Sequence, residues 1–370
     1  MLGAIISKAA AINSSLWAKI TVARARTQLP DLMTSQPFAK FPDGKKFAFS
    51  IFDDTDVATL EYIQPIYELL DRLGFRTTKS VWPLSYRGSS EYEGSSTLDD
   101  SEYARYVCHL QERGFEIALH GARMESSERP EIQKAFEIYR EKLGRYPITY
   151  AAHAHNCDNL YWGIDRFRFR LWRWMYAALD GGREPRYEGH RSGSPYYWGD
   201  LAQQYLRYVR SFTYDQLNLW NVTTAIPYRT ADTPGVNAFF PSAFADNVEE
   251  FIELLSPARQ MQLEREGGLA IVGTHFGKGF LRSGRVHPEV VELLTRLSQR
   301  PGWFQPVSTL LDHLVGVQGE IPLLSGYKLF RLEGLWFWHN IRSYYKRRRY
   351  EVTESPYLSR EIARRVARSD

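Results

Sequence analysis

The sequence predicts an α/β fold built on a parallel sheet or barrel, and three observations carry that prediction. Apolar, β-prone runs at 47–52, 75–82, 115–119 and 148–152 alternate with helix patterns at 59–73, 99–113 and 130–143. The helix patterns stop at Gly74, Gly114 and Gly144, the residue type that ends helices without a Cβ penalty. The strand ends carry side chains that bind metals or move protons: Asp53, Asp54 and Asp56 after the first, His120 after the third, His153 and His155 after the fourth. In parallel sheets and barrels all strand C-termini share one face, where such groups can meet.

The elements follow in order. Ile5, Ala9, Ile12, Leu16 and Ile20 fall near helical spacing, and Pro30 and Pro37 then break the pattern. Residues 1–43 therefore read as a helical extension and connector. The first strand, Phe47-Ala48-Phe49-Ser50-Ile51-Phe52, is rich in aromatic and β-branched residues and stops abruptly in carboxylates. One of these, Asp54 or Asp56, could cap the helix that follows, but a cap explains one aspartate and not three. Leu60, Ile63, Ile66 and Leu69 place an apolar stripe on that helix. Residues 84–96, polar and rich in Gly and Ser, read as a loop.

Residues 160–235 interrupt the rhythm and read as an insertion crowded with Trp, Tyr and Arg. It can be an aromatic core of its own. It can also be a sugar-facing wall, since aromatic faces stack on pyranose rings; Arg191, Tyr196 and Trp198 are then the candidate substrate-binding residues. After a short helix at 247–255, the run 268–273 delivers Thr274-His275. A helix at 288–297, a short strand at 303–307 and a helix at 308–314 complete the barrel, which spans 44–325. No internal repeat or low-complexity segment is present.

Composition narrows the function classes. The 370 residues are 44% apolar, enough for a sizeable core, and bulk disorder is excluded. Net charge is +4, but eleven Lys/Arg stand against five Asp/Glu from Lys328 onward, a net of +6. The body is near neutral and is not expected to bind nucleic acid. Cys108 and Cys157 make neither a metal spacing nor a disulfide framework. No segment is long and apolar enough to span a membrane. The start has no basic region and is interrupted by Lys8, so a signal peptide is not expected and a cytoplasmic location is the default.

Three strand ends thus offer Asp53/Asp54, His120 and His275, the residue types of a hydrolytic metal site. Here the sequence resembles the polysaccharide deacetylase (NodB-homology, carbohydrate esterase family 4) family. Phe52-Asp53-Asp54, Gly114 through Gly121, and Ile271 through Phe276 are similar to its first, second and last motifs. The resemblance implies a distorted, incomplete (β/α) barrel of the glycoside hydrolase/deacetylase type. It implies a metal-dependent hydrolase that removes an N- or O-acyl group from an amino sugar or glycan. It assigns Asp53 as general base, Asp54 and His120 as ligands of a divalent metal, with zinc the expected ion, and His275 as general acid. The chain departs from the family where the second motif should carry another His: Met124 stands there, and a thioether is a poor ligand for zinc. His153, or alternatively His155, is the candidate third ligand. Arg123 and Arg191 are candidates to orient Asp53. Two rival readings remain open, a catalytically reduced barrel that binds glycans and a two-carboxylate glycosidase that uses Asp53.

The tail at 326–370 joins Trp336, Trp338 and tyrosines to Lys346-Arg347-Arg348-Arg349. It reads as a helix packed on the barrel, or as a peripheral contact with anionic membrane, or as an RNA-binding segment. On this reading the barrel folds without it.

Overall fold

A computed structural model describes residues 41–87 and 95–350, with side chains as far as residue 341. The helix expected near the N-terminus and the basic side chains of 346–349 lie outside the described residues. Among the described residues ten strands run in chain order: β1 (Phe47–Asp53), β2 (Thr78–Val81), β3 (Glu116–Leu119), β4 (Thr149–Tyr150), β5 (Tyr208–Tyr214), β6 (Phe239–Phe244), β7 (Leu269–Thr274), a hairpin of β8 (Leu281–Arg282) with β9 (Arg285–Val286), and β10 (Gly302–Phe304). The helices are α1 (Leu60–Arg72), α2 (Ser101–Glu112), α3 (Arg129–Leu143), α4 (Arg170–Asp180), α5 (Gly199–Tyr205), α6 (Val248–Leu254), α7 (Pro257–Glu266), α8 (Pro288–Ser298), α9 (Val307–Gln318) and α10 (Gly326–Tyr350).

Strands β1 to β7 are parallel neighbours in sequence order, and β7 returns to pair with β1, closing a seven-stranded (β/α) barrel. The closure is distorted. β1 pairs with β7 along Ala48–Asp53 but meets β2 only at Phe52 and Asp53. β10 lies beside the start of β1 instead, pairing Phe47–Phe49 with Gly302–Phe304. The gap there is filled by aromatic packing, with Phe75 and Phe304 rings 4.4 Å apart and Phe49 against both. All seven residues of β1 are buried, as a strand central to a parallel sheet must be.

Local chemistry sets the helix starts. Thr59 caps α1, accepting the Tyr62 N–H at 3.3 Å, and Asp100 caps α2, accepting from Glu102 and Tyr103. Because Thr59 takes that role, Asp54 and Asp56 are not caps. Glu128 and Glu131 form a capping box at the start of α3.

Two expectations need correction. The stretch 160–235 is not wholly an insertion: it contains β5, a barrel strand, and β6 follows directly. Both strands read weakly because Arg210 interrupts one and Pro241 the other. Nor does Trp198 face a sugar. It is 1% exposed, packs on Tyr150 and Phe136, and donates its indole N–H to the Asp158 carbonyl at 2.6 Å. A large aromatic between barrel and helices is buried by the layer it helps to form.

Helix α10 lies against the barrel. Leu329, Leu332, Trp336 and Phe337 are buried. The Glu333 carboxylate, fully buried, accepts the N–H groups of Arg168 at 2.6 Å and Phe169 at 3.1 Å, just ahead of α4. The Arg166 guanidinium is stacked between Trp162 and Trp336, 3.6 and 4.7 Å from their ring centres. The first half of the tail is therefore a structural layer and not an appendage.

Candidate active site

The C-terminal ends of β1, β3, β4 and β7, with Arg210 from the first half of β5, gather a set of buried ionisable groups. Asp53, the last residue of β1, is fully buried, and both its oxygens are engaged. Oδ1 accepts the Phe276 N–H at 3.0 Å, and Oδ2 accepts the Tyr67 hydroxyl and faces Lys79 Nζ, each at 3.2 Å. Lys79 comes from β2 and is itself fully buried. Burial favours the neutral amine, but the Asp53 carboxylate outweighs it and holds the ammonium above its ordinary range. Asp53 thus ties β1 to β2, to α1 and to the loop after β7. Lys79→Met should destabilise the fold by about 3–5 kcal/mol, because it leaves a buried carboxylate without its cation. Urea unfolding measures this, and a loss below about 1 kcal/mol would show that the pair contributes little.

Asp54 faces a different partner. Its Oδ2 accepts Arg210 Nη2 at 2.6 Å, and its N–H donates to the Thr274 carbonyl at 2.7 Å. The Arg210 guanidinium enters from β5 and lies over the rings of Phe52 and Phe244. Asp54 Oδ1 is buried without a hydrogen bond.

Asp56 is the centre of the site. Its Oδ1 is 3.4 Å from His120 Nε2 and 3.5 Å from His153 Nε2, and its Oδ2 is 2.8 Å from His275 Nε2. His120 Nδ1 faces Asp54 Oδ1 at 3.7 Å. All these side chains are buried, and Trp82 packs edge-on to His153 and beside His120. Burial lowers the His153 pKa to about 4, so its ring is neutral at pH 7. With Nδ1–H directed to Asn156 Oδ1 at 3.4 Å, the lone pair falls on Nε2. Burial would raise the Asp56 carboxyl, but His153 and His275 outweigh it and hold it well below the carboxylate range. Burial and Lys278 oppose charge on His275, yet Asp56 and Asp246 prevail and raise its pKa. His275 Nδ1–H donates to the Asp246 carbonyl at 2.8 Å, and Lys278 Nζ donates to Asp246 Oδ1 at 3.0 Å.

The turn that presents Asp56 is strained. Val57 has φ +58, a conformation that β-branched residues rarely adopt. Its N–H donates to Ser95 Oγ at 2.9 Å. Gly277 is required opposite, because a Cβ there would lie 2.5 Å from the Val57 carbonyl.

The donors suit a divalent cation. A carboxylate oxygen and imidazole nitrogens are hard-to-borderline ligands. At metal–ligand distances of about 2.0–2.2 Å, tetrahedral neighbours stand roughly 3.3–3.5 Å apart, close to the spacing of each imidazole nitrogen from Asp56 Oδ1. Asp56 Oδ1 and both ring nitrogens of His120 are buried without hydrogen bonds. Among the described residues, however, no three donors already converge as an ion cage.

The structure thus brings His120, His153 and His275 together with Asp54. It places Asp53 apart from the histidines, against Lys79. His155 is exposed, at φ +66, outside the group. Met124 is buried nearby in sequence. Arg191 is paired with Asp165 at 2.6 Å, Arg123 with Glu131 at 3.3 Å, and neither orients Asp53. Tyr196 is half-buried, its N–H bonded to Ser194 Oγ. Sequence reasoning missed Arg210, Lys79 and Asp246, and it weighed Asp56 only as a cap or an unassigned carboxylate. A lysine in a strand that is otherwise to be buried, and an aspartate two residues beyond β6, were the available signals.

No protein-family model and no curated protein matches the sequence. Solved structures do. The chain is similar to the PuuE allantoinase, at 13% identity and a TM-score of 0.44, over 79% of this chain and 97% of that one. It is similar to a probable polysaccharide deacetylase from Pseudomonas aeruginosa PAO1, at 14% identity and a TM-score of 0.43, over 79% and 98%. A family 4 acetyl xylan esterase from Clostridium thermocellum, solved with a cobalt ion, follows at 12% and 0.35, over 74% and 92%. The family whose motifs the sequence resembles is therefore represented among its structural neighbours. At these identities and scores the neighbours say nothing of individual residues here.

Proposed function

We propose that the chain is a metal-assisted hydrolase that removes an acyl group from a carbohydrate. The carrying observation is Asp56, faced on one oxygen by His120 and His153 and on the other by His275. The acylated glycan comes from the motif resemblance. Asp56, His120 and His153 would hold a divalent cation, which when bound polarises an acyl carbonyl and acidifies water.

The chain's own groups supply the proton transfers. Asp54 is the proposed base: Arg210 donates to its Oδ2 and fixes it in place, leaving Oδ1 to accept a proton. His275 is the proposed acid. Its Nδ1–H is anchored on the Asp246 carbonyl, so Nε2 carries the mobile proton and points at the site. Asp53, the base by motif position, becomes a positioning residue, because both of its oxygens are occupied and it has no exposure.

Acetate release from an acetylated chito-oligosaccharide or xylan tests the reading. His275→Ala should lower turnover by about two to four orders of magnitude, the usual scale for a lost general acid. Zinc binding measured by calorimetry should change little. Equal turnover in variant and parent would remove His275 from the mechanism, and glycan binding without acetate release from the zinc-loaded parent would favour a binding barrel.

A further inference from the structure

Helices α4 and α10 carry an apolar outer face, uncovered by the described residues. Trp172 of α4 turns inward, its ring against Phe330 and Phe337 of α10 and close over Gly334. Leu171, Trp174 and Ala178 fall one turn apart on the side away from Trp172. Trp174 is 70% exposed. On α10, Tyr327 is 77% and Trp338 47% exposed, and Leu335 lies one turn before Trp338. Such large aromatics normally find cover, and here they stand exposed on two packed helices.

The charge around them is mainly positive, with Asp180 at the end of α4 and Asp215 against His339 as acidic exceptions. Arg170 and Lys328 are exposed on the same helices. Glu333, the acidic residue of α10, is fully buried and bonded to backbone. Helix α10 runs on to Tyr350 through Lys346-Arg347-Arg348-Arg349, within a stretch of net charge +6. No helix among the described residues is long and apolar enough to cross a membrane.

We propose that this helix pair docks on an anionic bilayer surface. Trp174, Trp338 and Tyr327 lie at headgroup level, and the basic residues meet the lipid phosphates. Aromatic side chains with an apolar body and polar tip favour that layer, and clustered Arg/Lys add attraction that salt screens. The proposal does not depend on the chemistry at Asp56.

Sedimentation of the full chain with vesicles tests it. The parent should pellet with phosphatidylcholine–phosphatidylglycerol vesicles at low salt, and not with phosphatidylcholine alone or at high salt. Trp174→Glu should weaken partitioning about tenfold, and Trp174→Glu with Trp338→Glu further, while thermal unfolding of the single variant stays close to the parent. Replacing Lys346, Arg347, Arg348 and Arg349 by Gln should weaken it comparably. Three results would overturn the proposal: no pelleting of the parent, unchanged pelleting of both Trp variants, or self-association without vesicles that Trp174→Glu abolishes. The last would make a second copy of the chain the occupant.

Discussion

Asp56→Asn should lower zinc affinity by more than about a hundredfold and turnover by at least two orders of magnitude. Loss of a group that merely orients a ligand costs about 10–100-fold. Asp56 is placed to be a ligand itself, since Oδ1 is shared between His120 Nε2 and His153 Nε2. The substitution also removes the charge that stabilises protonated His275. Asp53→Asn should behave differently. It leaves Lys79 buried without its counter-charge and weakens the tie to Phe276, so its main effect is on stability. Parent-like zinc affinity in Asp56→Asn, with loss in Asp54→Asn, would return the carboxylate ligand to Asp54, as the motif resemblance has it.

A chain ending at Ser325 should fail to fold as a cooperative unit. The truncation removes Leu329, Leu332, Trp336 and Phe337 from the buried layer, and each such loss costs about 2–5 kcal/mol. It also uncaps the N–H groups of Arg168 and Phe169 and strips one face of the Arg166 stack. Together these losses are as large as the roughly 5–15 kcal/mol that stabilises an ordinary domain. Poor solubility or a broad, uncooperative urea transition is the expected readout. A soluble fragment with a parent-like midpoint would restore the tail to the status of an appendage.

The sequence made most of the barrel legible where a strand was uninterrupted. The runs ending at Asp53, His120 and His275 are apolar and stop at ionisable residues, and the structure has β1, β3 and β7 there. β5 and β6 were hidden for a chemical reason. A barrel strand that feeds a buried site carries a charge inward, and Arg210 breaks the apolar run that would have revealed it. The same holds for Lys79, whose ammonium is matched only by a residue on another strand. Which of three neighbouring aspartates meets the histidines could not be read from spacing, because the chain turns sharply at Val57 with positive φ. His153 could be named from topology, since strand order puts β4 beside β3. The tail misled because its aromatic residues suit both a protein layer and a membrane surface. Glu333 settles part of it: a carboxylate that is fully buried and accepts two backbone N–H groups belongs to the fold.

The most direct test is an anomalous-difference map from crystals of the parent grown with zinc, collected at the zinc edge. The account predicts one strong peak within about 2.0–2.2 Å of Asp56 Oδ1, His120 Nε2 and His153 Nε2. A peak bound by Asp54 without Asp56 would contradict the ligand assignment, and no peak at this cluster would contradict the metal-assisted reaction.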